Sequence, residues 1–195
     1  GDIYVSEAND VTLGSVNAGT NAVHLTAAGA ITDAGAGTAI TAGALTLQAA
    51  SIGTAGNALG TNVGALSATA TAGDIYVSEA NDVTLGSVNA GTNAVHLTAA
   101  GAITDAGAGT SITAGALTLS AALIGTAGNA LGTDVGALSA TATAGDIHVS
   151  EANDVVLGSV DAGANAVNLT AGGAITDGAG TSITAGTLTL NAASI

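Results

Sequence analysis

The residues GDIYVSEANDVTLGSVNAGTNAVHLTAAGAITD, from Gly1 to Asp33, return at Gly73 and again, with substitutions, at Gly145. A chain that writes the same 72 residues twice and begins them a third time has to fold as an array. Each copy meets the same neighbours, and the core has to run continuously from one copy into the next. Residues 1–72 and 73–144 differ only at Ala39/Ser111, Gln48/Ser120, Ser51/Leu123 and Asn62/Asp134. The third copy, 145–195, is more divergent. We therefore expect one continuous solenoid with copies 1–72, 73–144 and 145–195, forming a stretch of a longer array.

The apolar residues restrict what kind of core such an array can have. Phe, Trp, Met and Cys are absent, and Tyr4 and Tyr76 are the only aromatics, so Val, Ile, Leu and Ala fill the interior. Small aliphatic side chains suit a narrow bore in which a few residues per layer meet. At 48% apolar the chain lacks the signature of disorder. Gly, Thr, Ser, Asn or Asp interrupts every apolar run well before about 18 residues, so no membrane-spanning helix is expected. Fourteen Asp plus Glu face no Lys or Arg. This balance disfavours nucleic acid and anionic membranes as partners.

Within each copy a shorter theme recurs three times, at Ala22–Asp33, Ala44–Ala55 and Ala65–Ser78. Each alternates apolar and polar residues, reaches an isoleucine, and is followed by a further strand-like segment: GTAITAG, NALGTNVG and VTLGSVNAG. Period-two alternation bounded by Gly and Asn reads as short strands. The phase puts Val23, Leu25 and Ala27 inside, then Leu45, Leu47 and Ala49, then Leu66, Ala68 and Ala70, with Ile31, Ile52 and Ile75 as a second inward column. Strands at this spacing, without helices between them, pair with the turns above and below. The reading is an all-β parallel β-helix (β-solenoid) with three strands per coil and three coils per 72-residue repeat: Ala22–Gly43, Ala44–Gly64 and a longer Ala65–Asn93. It predicts about eight coils, rising ~4.8 Å each. Abundant alanine does not make the chain helical, because its 30 glycines each cost ~1 kcal/mol inside a helix.

The phrases NAVHLTAAGAITD, ITAGALTLQAASIG and GDIYVSEANDVTLGSVNAG resemble the coils of filamentous-haemagglutinin-type bacterial exoproteins, which leave the cell by two-partner secretion. The resemblance covers the whole chain as repeat style. It implies a right-handed helix in an extracellular, secreted or cell-surface fibre, serving as an adhesin stalk or biofilm-matrix filament. The partners it implies are the chain itself, end to end or side by side, and glycans or other cells. Glycan or partner binding on the outward ranks is the alternative role. Ice binding is a weaker one, because the ranks Ser67–His24–Thr46 and Thr69–Thr26–Gln48 lack a regular Thr-x-Thr face.

The candidate chemistry is sparse. Glu7, Asn9 and Asp10, with their equivalents Glu79, Asn81, Asp82 and Glu151, Asn153, Asp154, place oxygen ligands at a spacing that suits Ca²⁺. The competing reading is a turn in which Asn or Asp bonds its own backbone. No other cofactor is implied. Asp33, Asp105 and Asp177 are expected to accept backbone N–H bonds at corners. His24, His96 and Asn168 should form one outward rank, and Tyr4, Tyr76 and His148 another. Asn17, Asn21, Asn57 and Asn62 could stack as amide ladders. Near-identical units supply no single distinctive catalytic cluster, so no enzymatic role is expected.

Overall fold

The computed structural model describes residues 1–35, 37, 39–107 and 112–195; Thr38 of the expected strand GTAITAG and the variable Ser111 lie outside them. Among the described residues there is no helix, and strands run from Ile3–Glu7 to Thr187–Asn191. They pair in parallel with strands one turn away: Ile3 with Val23, Val23 with Leu45 and Leu45 with Leu66. The chain is a parallel β-solenoid of about nine turns.

Alternation along each strand sorts the side chains. In Ala22–Ala27 the residues Val23, Leu25 and Ala27 are buried, while Thr26 faces out. The same holds for Leu45, Leu47 and Ala49 and for Leu66, Ala68 and Ala70. Ile31, Ile52 and Ile75 pair in succession as one column and are essentially inaccessible. Each such side chain withdrawn from water contributes ~1.5–3 kcal/mol, repeated in every turn. The coil Ala44–Gly64 contains the end of Ile40–Ala49, then Ser51–Ile52, then the start of Leu59–Ala70, in keeping with three strand segments per coil.

The third expected coil, Ala65–Asn93, is one and a half turns rather than one long one. Leu66 already pairs with Leu85. The strand Ile75–Glu79, which lies between them in sequence, runs along the other side and pairs with Ile52, Leu59 and Thr61. The stretch Ser78–Leu85, which made that coil look long, adds no extra loop. Val77 and Glu79 and then Val83 and Leu85 keep the inward alternation across a short corner, so the segment continues the winding.

One 72-residue copy therefore advances three and a half turns, which raises the total from the expected eight turns to about nine. Ile3 heads the column Val23–Leu45–Leu66–Leu85, whereas its equivalent Ile75 follows Val11–Ile31–Ile52 on the opposite face and leads on to Val95. Successive copies thus present the same residues on alternating sides.

Candidate functional site

The predicted Ca²⁺ residues separate as soon as the strand phase is applied. Glu79 shares parity with Ile75 and Val77, so its side chain enters the core, where it is 2% exposed. Its carboxylate accepts from the Thr61 hydroxyl at 2.7 Å, from the Val63 N–H at 3.1 Å to both oxygens, and from the Asn81 N–H at 3.2 Å. Glu151 repeats this with Thr133 at 2.7 Å, Val135 at 3.1 and 3.2 Å, and Asn153 at 3.2 Å. Glu7 lies in the first turn and accepts from the backbone and side-chain amides of Asn9.

The other members of each trio point elsewhere. Asp10, Asp82 and Asp154 accept from the N–H of Ala30, Ala102 and Ala174 at 2.8, 2.7 and 2.7 Å. Each bond therefore reaches the following turn, not the residue's own backbone. Asn81 donates to Asn62, and Asn153 to Asp134 at 2.9 Å. Among the described residues no three His, Cys, Asp or Glu side chains converge as metal ligands.

A second series, which sequence reasoning did not single out, does the same work. Asp2, Asp74 and Asp146 accept from Ala22, Ala94 and Ala166, 20 residues on, at 3.0, 2.9 and 2.8 Å. At corners where carbonyls no longer face the next turn, a carboxylate takes the orphan N–H. A charged acceptor makes that bond roughly twice as strong as a neutral one. The available signal was an aspartate immediately before each IYV or IHV start, spaced one turn from an alanine.

Asp33 and Asp105 are buried at corners, as expected of backbone acceptors. Asp33 takes the Asn57 side-chain amide and the Gly60 N–H at 2.9 Å, and Asp105 takes Asn129 and the Gly132 N–H at 2.9 Å. Asp177 is exposed. The expected asparagine ladders reduce to Asn81 on Asn62, because Asn17 caps Gly19, Asn21 binds Ala18 and Asn57 binds Asp33.

The outward ranks are Tyr4–His24–Thr46–Ser67 on one face and Tyr76–His96–Thr118–Ser139 on the other. The half-turn offset thus separates His24 from His96, which were expected in one rank. The rings stack in parallel, Tyr4 on His24 at 4.7 Å and Tyr76 on His96 at 4.5 Å between centroids. The Tyr76 hydroxyl donates to Asp74 at 3.3 Å. Burial first, and then the charge and hydrogen bond of Asp74, hold that hydroxyl above its ordinary 10.0.

In the third copy His148 takes the place of Tyr76 and sits on Asn168. A groove of about 380 Å³ opens there, lined by Leu123, Thr126, Asp146, His148 and Asn165 among others. The His148 Nε2 stands 3.6 Å from Asp146 Oδ2.

Residues 144–195 match a family described as repeats of unknown function, DUF5649. No curated protein and no solved structure matches the chain.

Proposed function

We propose that this chain is a structural repeat shaft of a secreted or cell-surface bacterial fibre. The supporting observation is the parallel ladder that runs through the described residues, with Asp2, Asp10, Asp74, Asp82, Asp146 and Asp154 each bonded to the turn after it. Ile31, Ile52 and Ile75 in one column, with the carboxylates of Glu79 and Asp33 satisfied inside the wall, suit a load-bearing rod. Force along the axis is carried by many ladder bonds and by apolar layers that each depend only on their neighbours. The reading assigns the chain no catalytic role. It takes the two-partner export route from the resemblance in repeat style to filamentous-haemagglutinin-type exoproteins.

Antibodies against the exposed strand containing His24 and Thr26 test it on whole cells by immunogold electron microscopy. Label distributed along extracellular filaments is the expected result. Label confined to the cell interior would end the shaft reading. Label only at filament tips, together with glycan-array binding, would move the role to adhesive recognition.

A further inference from the structure

We propose that Asp146 and His148 form a binding site for a divalent transition-metal ion, of the Zn²⁺ or Cu²⁺ kind, in the groove that they line together with Leu123 and Thr126 of the second copy. Their facing atoms are 3.6 Å apart, which is too far for a hydrogen bond. Two ligand atoms held about 2.0–2.2 Å from a tetrahedral ion stand roughly 3.3–3.6 Å from one another. The spacing is that of an ion pair or of two ligands sharing one metal ion.

The carboxylate is already oriented. Asp146 Oδ1 accepts the Ala166 N–H at 2.8 Å, which leaves Oδ2 turned toward the imidazole. Such an outer bond fixes a metal ligand in place. The His148 side chain is 13% exposed and Asp146 50%, so the ring is held by its surroundings while the ion can be reached from solvent. The groove of about 380 Å³ has room for water ligands beside the Thr126 and Asn165 side chains.

One imidazole nitrogen and one carboxylate oxygen select borderline ions over Ca²⁺ or Mg²⁺, which take oxygen alone. A chain with 14 acidic residues and no Lys or Arg attracts cations to any such pair. The second copy is a built-in comparison. There Tyr76 fills the equivalent position and its hydroxyl binds Asp74 directly at 3.3 Å. His24 and His96 are stacked on tyrosines instead.

The test is calorimetric titration of tag-free protein with Zn²⁺ at neutral pH, with Cu²⁺ electron paramagnetic resonance as a second readout. We expect one saturable equivalent and a Cu²⁺ spectrum coupled to a single nitrogen. Asp146→Asn should weaken binding at least about tenfold. His148→Tyr introduces the residue that the second copy folds with at this position, and should abolish the site with unchanged circular dichroism. His96→Asn should leave it intact. Absence of Zn²⁺ binding, wild-type affinity in His148→Tyr or Asp146→Asn, or equal competition by Ca²⁺ would overturn the proposal.

Discussion

Glu7, Glu79 and Glu151 are the same residue of the same repeat, yet within these 195 residues only Glu79 and Glu151 accept from an earlier turn, and this makes Glu79→Ala the most informative substitution. Removing the Glu79 side chain orphans the Thr61 hydroxyl and the Val63 N–H, both buried, and frees the Asn81 N–H near the surface. A buried donor left without an acceptor costs ~1–3 kcal/mol, so two of them make about 3–5 kcal/mol once the vacated space is included. Glu7→Ala removes only contacts to the neighbouring Asn9 at a partly exposed site, and should stay within about 0.5 kcal/mol, as surface substitutions do. Urea unfolding followed by circular dichroism measures the difference. Amide hydrogen exchange at Val63 reports the local loss if unfolding is not two-state. The same pair separates this account from a Ca²⁺ site, because the Glu79 oxygens are engaged by protein donors. Equal losses at Glu7 and Glu79, or a Glu79 loss seen only with Ca²⁺ present, would refute it.

Other outcomes follow from the same geometry. In Gly101→Ala the new Cβ would lie 2.0 Å from Asp82 Oδ1 and 2.7 Å from its backbone nitrogen; the displaced carboxylate should cost ~1.5–3 kcal/mol in urea unfolding. Gly128→Ala has nothing within 4 Å and should be neutral or gain up to about 1 kcal/mol. In a Tyr4→Phe background the remaining phenol, Tyr76, should ionise above 10.0. Because its neutral form is favoured in the folded state, stability should be constant below that pH and fall as pH rises through the folded value; Asp74→Asn should narrow the window. Spin labels at His24→Cys and His96→Cys, in a chain without cysteine, should report Cα atoms about 20 Å apart with labels facing away from each other. A shared rank three turns apart would give about 14 Å on one side.

Much of the wall was legible because strand parity is a local property. Once Val23, Leu25 and Ala27 are placed inside, the phase of every neighbouring coil follows from its own alternation, and the exposures of Leu45, Leu47 and Ile52 agree. Parity also carried a signal that was passed over, since Glu79 has the phase of Ile75 and Val77 and so belongs inside with them. Its partners were not legible in the same way. Thr61 and Val63 lie 18 and 16 residues before it. Which turn sits beneath which depends on how much chain each corner consumes, and alternation does not encode that. The same ignorance of corners turned the strand Ile75–Glu79 into part of an oversized coil, and it placed His24 and His96 in one rank.

The half-turn advance explains the restricted core vocabulary better than bore width alone. Leu45 packs on one wall in the column of Leu66 and Leu85, with Leu47 beside it in the column of Ala68 and Val88, while their equivalents Leu117 and Leu119 pack on the opposite wall above Val95–Ile75 and Leu97–Val77. Leu45, Leu47, Leu117 and Leu119 are each 1% exposed. Each inward residue therefore has to fit both walls of the same bore, facing different partners in alternate copies. A large aromatic accommodated on one side would meet a different opposing surface half a turn later, where overpacking costs ~1–3 kcal/mol. Ala, Val, Leu and Ile differ by few methylenes and exchange places at small cost, so a repeat that returns on the other face is driven toward them. The two tyrosines obey the same rule from outside. Both face solvent, where each can stack on the histidine of the next turn without having to match a second wall.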